Sequence, residues 1–234
     1  MTELIVASRS AELAPQAAEW LGLEVTSAIA ERGSCALGLA GGRTPQAVYG
    51  ELAAGSSIDW SKVSVFFGDE RAVPPDHPDS NYLMVHLALL SRVPIPSGNV
   101  HRMEAERADR EAAAQEYERA LPPRLDVLLL GMGPDGHTAS LFPGSAALDE
   151  RHRLVLPVLG SKPPAERLTI TPPVIEAARK VAVIATGEDK ALMVARAIEG
   201  PLAPKAVPVQ LARRGCWFLD QAAAARLTAR RVAT

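Results

Sequence analysis

The residues best suited to chemistry stand together in Gly131-Met132-Gly133-Pro134-Asp135-Gly136-His137-Thr138. An imidazole changes charge near neutral pH, which suits it to move protons. A solitary histidine is more often a surface or structural residue. One presented by a glycine loop directly after an apolar run, two residues from an aspartate, is a better acid/base group. The same stretch formally satisfies G-x-G-x-x-G, the dinucleotide fingerprint. That reading is rejected. Pro134 lacks an N–H where a phosphate cradle needs one, and Pro143-Gly144 cuts any following helix short within two turns.

Two further clusters could hold an anion. Gly41-Gly42-Arg43-Thr44-Pro45 follows a short apolar run and opens a helical segment. The glycines let backbone N–H groups approach an anion, and the helix start adds positive potential. Arg43 and the Thr44 hydroxyl add donors. A tight turn with an ordinary cap would use fewer of these residues. Gly68-Asp69-Glu70-Arg71 follows a second apolar run. A charged solvated loop is the usual fate of such residues, but here they sit where a strand ends. Arg71 can clamp a phosphate or carboxylate through two N–H groups. Asp69 or Glu70 can orient a sugar hydroxyl or another side chain. Ser80-Asn81 supplies a hydrogen-bonding pair or a helix cap. Arg167 and Lys190 place two more cations near strand boundaries.

Composition limits the partners. Among 234 residues, 25 Lys and Arg against 27 Asp and Glu give a net charge of −2. No general basic excess exists to hold a nucleic-acid backbone, so an anionic ligand must be bound by a few local cations. The chain is long enough to bury about 70% of its extended surface without disulfides or metal staples. Aromatic residues are only 4%, so aliphatic side chains must build the core. Cys35 and Cys216 lie far apart, with no metal-binding spacing, and read as small buried hydrophobes. Free thiols fit a reducing cytoplasm. Glu3, Glu12 and the lack of a long apolar run argue against a signal peptide. Val127–Leu130, the longest apolar stretch, is far too short to cross a bilayer. There is no G-x-S-x-G elbow, Walker A loop, H-E-x-x-H or cysteine nucleophile motif, so a covalent serine hydrolase is disfavoured.

Strands are predicted at Leu4–Ala7, Cys35–Ala40, Val63–Phe67, Leu125–Leu130, Arg153–Val158, Leu168–Thr171, Val181–Ala185, Val207–Leu211 and Trp217–Leu219. Helices are predicted at Ala11–Arg32, from the Thr44 cap to Ala54, and at Ser80–Ser91, Ala105–Ala120, Pro172–Arg179, Glu188–Glu199 and Gln221–Leu227. A single helical turn is expected before Pro143. Alternation of this kind predicts one Rossmann-like α/β domain over residues 1–234, with a mainly parallel sheet and helices on both faces. Ligands of such sheets bind at the carboxyl ends of the strands, where the three clusters lie.

In order and wording, these motifs resemble the 6-phosphogluconolactonases of the glucosamine-6-phosphate isomerase/6-phosphogluconolactonase family. The resemblance runs from about Gly38 to Asp220. It is carried by Gly41–Pro45, Phe67–Arg71 with Ser80-Asn81-Tyr82, Leu129–Gly144, Glu166–Thr169 and Gly187 to Lys190. It implies the fold of sugar-phosphate isomerases and deaminases, and hydrolysis of 6-phosphogluconolactone. It implies His137 as the catalytic base. It makes Gly41, Gly42, Arg43, Thr44, Asp69, Arg71, Asn81, Gly133, Asp135, Gly136, Arg167 and Lys190 substrate-binding candidates. Backbone N–H groups of a glycine loop are candidate oxyanion donors. No metal or other cofactor is required, and no nucleic acid or membrane partner is expected. Oligomeric state is not fixed by the sequence, and a monomer is compatible with it. A related glucosamine-6-phosphate deaminase and a non-catalytic sugar-phosphate sensor are the rival readings. Residues 149–165 and those after Asp220 match only loosely, and no role is carried over there.

Overall fold

Consecutive burial, rather than alternation, marks a strand covered on both faces. β5 (Val127–Gly131) shows it, with Val127, Leu128, Leu129 and Leu130 all fully buried. The computed structural model describes residues 2–228 except 56 and 162. Its main sheet has six parallel strands in the order β1-β9-β8-β5-β2-β3. The other five strands are β1 (Glu3–Ala7), β2 (Cys35–Leu39), β3 (Val63–Phe67), β8 (Lys180–Ala185) and β9 (Cys216–Asp220). Between these strands, α1 (Ser10–Arg32) and α2 (Arg43–Gly55) pack against each other. Helices α5 (Pro172–Ala177) and α6 (Ala191–Ile198) both pack against residues 208–212. Gly33 ends α1 in the left-handed region at φ 81°, its N–H donating to the Ile29 carbonyl.

A second, antiparallel sheet was not foreseen. It contains β4 (Asp69–Arg71), β7 (Glu166–Ile170) and β6 (Val155–Leu159), in the order β4-β7-β6. Gly68 joins the two sheets. Its N–H donates to the Leu39 carbonyl of β2, and its own carbonyl accepts from Ile170 of β7. Three charged residues expected in a loop thus form a strand, because β7 offers them a ladder.

Other boundaries also differ. Helix α3 (Asn81–Ala88) starts at the Ser80 cap, whose Oγ accepts from the Leu83 N–H. Helix α4 (Arg110–Ala120) starts at the Asp109 cap, five residues later than the composition suggested. The expected turn of helix before Pro143 is absent; Thr138 and Leu141 bridge across a tight turn instead. The apolar run at 207–211, expected as a strand, is a short 3-10 helix at Pro208–Ala212. Gln221–Leu227 forms turns rather than a helix, with Asp220 Oδ1 accepting from the Ala223 N–H. Both cysteines are free and buried, and burial pushes each thiol up to about 12. They are therefore poor nucleophiles near neutral pH. Among the described residues, no helix is long and apolar enough to cross a membrane.

Two buried tyrosines fix the backbone where strands give way to loops. The Tyr49 hydroxyl accepts from the Ala40 N–H at 2.9 Å and donates to the Ala40 carbonyl at 2.7 Å. The Tyr117 hydroxyl treats Phe67 the same way, at 2.7 and 3.2 Å. Each holds the residue just before a glycine turn. Tyr49→Phe should leave two buried backbone groups unpaired and cost about 1–3 kcal/mol. Urea unfolding checks this, and a loss under 0.5 kcal/mol, on the order of a surface substitution, would show the pairing to be unimportant.

Candidate active site

Four strand ends and the second sheet surround a cavity of about 370 Å³. Gly41, Gly42, Arg43 and Thr44 line it from the end of β2. Gly42 adopts φ 107°, a left-handed conformation that turns the chain into α2. The helix therefore begins at Arg43, and Thr44 lies inside its first turn rather than capping it. The Arg43 and Thr44 amides have no intrahelical acceptor in such a turn and add positive potential. The Thr44 hydroxyl instead lies 3.0 Å from that of Thr186, just after β8. Thr186 also lines the cavity, and the sequence reading missed it. Its only signal was a hydroxyl between a buried strand and Gly187. Lys190 closes this side, its Nζ 2.5 Å from Asp189 Oδ2.

The opposite wall comes from β4, β7 and the start of α3. Asp69 is buried, with Oδ2 accepting from the Ser140 hydroxyl at 2.6 Å and Oδ1 from Asn81 Nδ2 at 3.0 Å. The same Nδ2 donates to the Asp69 carbonyl at 2.8 Å, which fixes the amide orientation. Asn81 Oδ1 then faces Gly41 so closely that an added Cβ there would sit 1.9 Å from it. Ser140 forms no part of the cavity wall; its backbone N–H donates to Thr169 Oγ1 at 3.1 Å. These two buried hydroxyl residues belong to quoted motifs, but no polarity pattern marked them as supports. Arg71 and Arg167 stand opposite each other on β4 and β7, and both line the cavity. Arg167 Nη1 is 3.9 Å from Asp69 Oδ2, and its guanidinium lies over the Phe142 ring at 5.8 Å. Burial is the main cause that lowers the Arg167 pKa, and Asp69 opposes it.

His137 enters from the loop after β5. Its Nδ1 lies 2.5 Å from Asp135 Oδ1, and its ring packs on Phe142 with centroids 4.7 Å apart. Burial raises the Asp135 pKa, but the charge and hydrogen bonds of His137 more than offset this and hold the carboxyl below its ordinary range. An ionised Asp135 accepts from Nδ1–H, leaving the Nε2 lone pair available. Gly133 lines the cavity beside the imidazole. Asp135 and Gly136, expected to touch substrate, are not in the cavity wall. Asp135 lies behind His137, while Gly136, at φ 85°, turns the chain toward Val207 and Met193. Three of the loop's amides are also committed. Gly133 N–H donates to the His137 carbonyl, Gly136 N–H to the Gly133 carbonyl, and His137 N–H to Asp135 Oδ1. They do not offer a ready oxyanion hole. Among the described residues, no three His, Cys, Asp or Glu side chains converge to hold a metal ion.

Residues 8–219 match the family model for glucosamine-6-phosphate isomerases and 6-phosphogluconolactonase. The chain belongs to this family. It is 42% identical over 220 residues to a Synechocystis 6-phosphogluconolactonase, covering 87% of this chain and 89% of that one. The solved 6-phosphogluconolactonase from Trypanosoma cruzi superposes with a TM-score of 0.84 at 29% identity, covering 98% of each chain. A monomeric glucosamine-6-phosphate deaminase superposes as well, with a TM-score of 0.85 over 96% of this chain and 99% of that one. At 20% identity that likeness shows the shared fold alone. The family's α/β architecture therefore supplies the frame, and the side chains of the cavity must decide the chemistry.

Gly133 gives a direct test of the site geometry. An added Cβ would lie 2.1 Å from His137 Cε1 and 2.2 Å from Nδ1, so the imidazole must move. Because His137 is partly exposed, Gly133→Ala should fold normally and lose roughly a hundredfold in turnover. Full activity in that variant would mean the observed imidazole position is not the working one.

Proposed function

We propose that the chain hydrolyses 6-phospho-D-glucono-1,5-lactone to 6-phospho-D-gluconate, a step of the oxidative pentose phosphate pathway. The observation that carries this reading is an Asp-oriented imidazole facing a cavity that also holds Arg43, Arg71, Arg167 and Lys190. The names of relatives about 40% identical over most of their length support it. Two buried free thiols suit a cytoplasmic enzyme.

His137 Nε2 takes a proton from water as its oxygen attacks the lactone carbonyl carbon. The carbonyl π electrons move onto oxygen, giving a tetrahedral oxyanion. Arg167 is the cation that shares the Phe142 ring with His137, and it is assigned to that charge. When the carbonyl re-forms, the bond to the ring oxygen breaks and the imidazolium returns its proton to that oxygen. The released carboxylic acid then ionises. The α2 N-terminus, Thr44, Thr186 and Lys190 are assigned to the phosphate, and Arg71 and Asn81 to the remaining substrate oxygens.

His137→Ala should lower lactone turnover by about 10²–10⁴-fold while product still binds. Hydrolysis near the wild-type rate above the spontaneous background would remove His137 as the base. Lys190→Ala and Arg71→Ala should each weaken 6-phosphogluconate binding about ten- to hundredfold, the cost of one charge-assisted hydrogen bond. Calorimetric titration reads this, and unchanged affinity in both would take them out of the site. Chelator-treated protein without nicotinamide should keep full activity. Ammonia release from glucosamine 6-phosphate would instead favour the deaminase reading.

A further inference from the structure

Glu70 is only 3% exposed and does not line the cavity, yet its carboxylate is saturated with donors. Oε1 accepts from the Arg71 N–H and the Asn81 N–H, both at 2.8 Å. Oε2 accepts from the Tyr82 N–H at 2.7 Å and the Ser80 hydroxyl at 3.0 Å. Ser80, Asn81 and Tyr82 are the cap and first two residues of α3. One carboxylate therefore binds the orphan amides of a helix start across a loop, where a negative charge is also favoured by the helix dipole.

Ser80 already caps the helix for Leu83, so α3 does not need Glu70 merely to begin. What the extra bonds add is registration between β4 and α3. They hold Arg71 and Asn81, which both line the cavity, and they close the loop between them. Arg71 itself donates from Nη1 to the Asp79 carbonyl at 2.6 Å, at the far end of that loop. Across the β4–β7 ladder, however, Arg71 faces Arg167, and like charges directly opposite repel. Arg71 thus has to be restrained from its own side.

We infer that Glu70 is a positioning residue, which fixes Arg71 and Asn81 at the cavity by clamping the first turn of α3 to β4. Burial raises its pKa against the donors that lower it. The fold retains a carboxylate where a buried charge is costly, and site geometry is what it secures. The readout rests on the lactonase reading above, through the substrate contacts assigned to Arg71 and Asn81.

Glu70→Gln tests the clamp in the full chain. A glutamine amide, either way round, turns an NH₂ toward two of the four donors. The base lies on a separate loop, so the effect should fall on binding. KM for the lactone and Kd for 6-phosphogluconate should each rise about tenfold or more, with kcat within about threefold of wild type. Unchanged KM and Kd in the folded variant would overturn the proposal, as would a loss confined to kcat. If Glu70→Gln fails to fold by circular dichroism, Ser80→Ala decides. It removes one of the four donors and should raise KM severalfold; an unchanged KM would overturn the clamp. Wild-type protein that does not hydrolyse the lactone would sink the functional reading instead. The clamp would then be judged by amide hydrogen exchange at Arg71, Asn81 and Tyr82, which should quicken in Glu70→Gln; unchanged exchange would overturn it.

Discussion

Parallel pairing is the constraint on which the rest depends. When six strands run the same way, all their carboxyl ends meet at one edge. Each crossover must then leave from that edge, so the turns after β2, β3, β5 and β8 crowd together. Three of those turns use glycine beside a side chain of the cavity wall. Gly41 makes room for Asn81 and Gly133 for His137, while a Cβ added at Gly187 would lie 2.8 Å from Asp189 Oδ1. The site is therefore assembled from residues far apart in sequence, without any one segment having to carry it. Tyr49 and Tyr117 stiffen the points where β2 and β3 end, which limits how far those turns can drift.

The second constraint is the handling of buried charge. Isolated carboxylates in a protein interior would be neutralised or would unfold the chain. Asp69 and Glu70 persist there because they are consecutive residues with separate sets of donors. Asp69 faces Ser140, Asn81 and Arg167, and Glu70 faces the start of α3. Alternation along β4 sends them to opposite sides, so one strand of three residues serves both. The antiparallel sheet exists to hold this strand against β7, and it brings Arg167 to the same cavity.

Much of this was legible in the sequence. Val127–Leu130 reads as a buried strand from composition alone, and the glycine turns after strands point to the place where the cavity lies. Eleven of the thirteen candidate residues line the cavity; Asp135 and Gly136 do not. Asp135 stands against His137 instead of in the wall, and sequence spacing cannot distinguish a residue that touches substrate from one that orients its neighbour. β4 was illegible because Asp-Glu-Arg carries no apolar period, and only pairing with β7 makes it a strand. Val207–Leu211 failed for the opposite reason. Its apolar residues suit a strand, but Val209 donates its N–H to the Gly136 carbonyl, and the segment winds into a 3-10 turn behind the His137 loop. Thr186 and Ser140 gave no pattern, since one hydroxyl in one place has no period to betray it.

In the proposed mechanism Asp135 sets the tautomer of His137, leaving Nε2 bare to accept a proton from water. Nitrogen-15 NMR of the full chain tests it most directly, with the His137 signals assigned by their loss in His137→Gln. At pH 8 the account predicts a protonated Nδ1 and an unprotonated Nε2, and in Asp135→Asn a weakened preference for that form. A protonated Nε2 with a bare Nδ1 in the wild-type protein would contradict it.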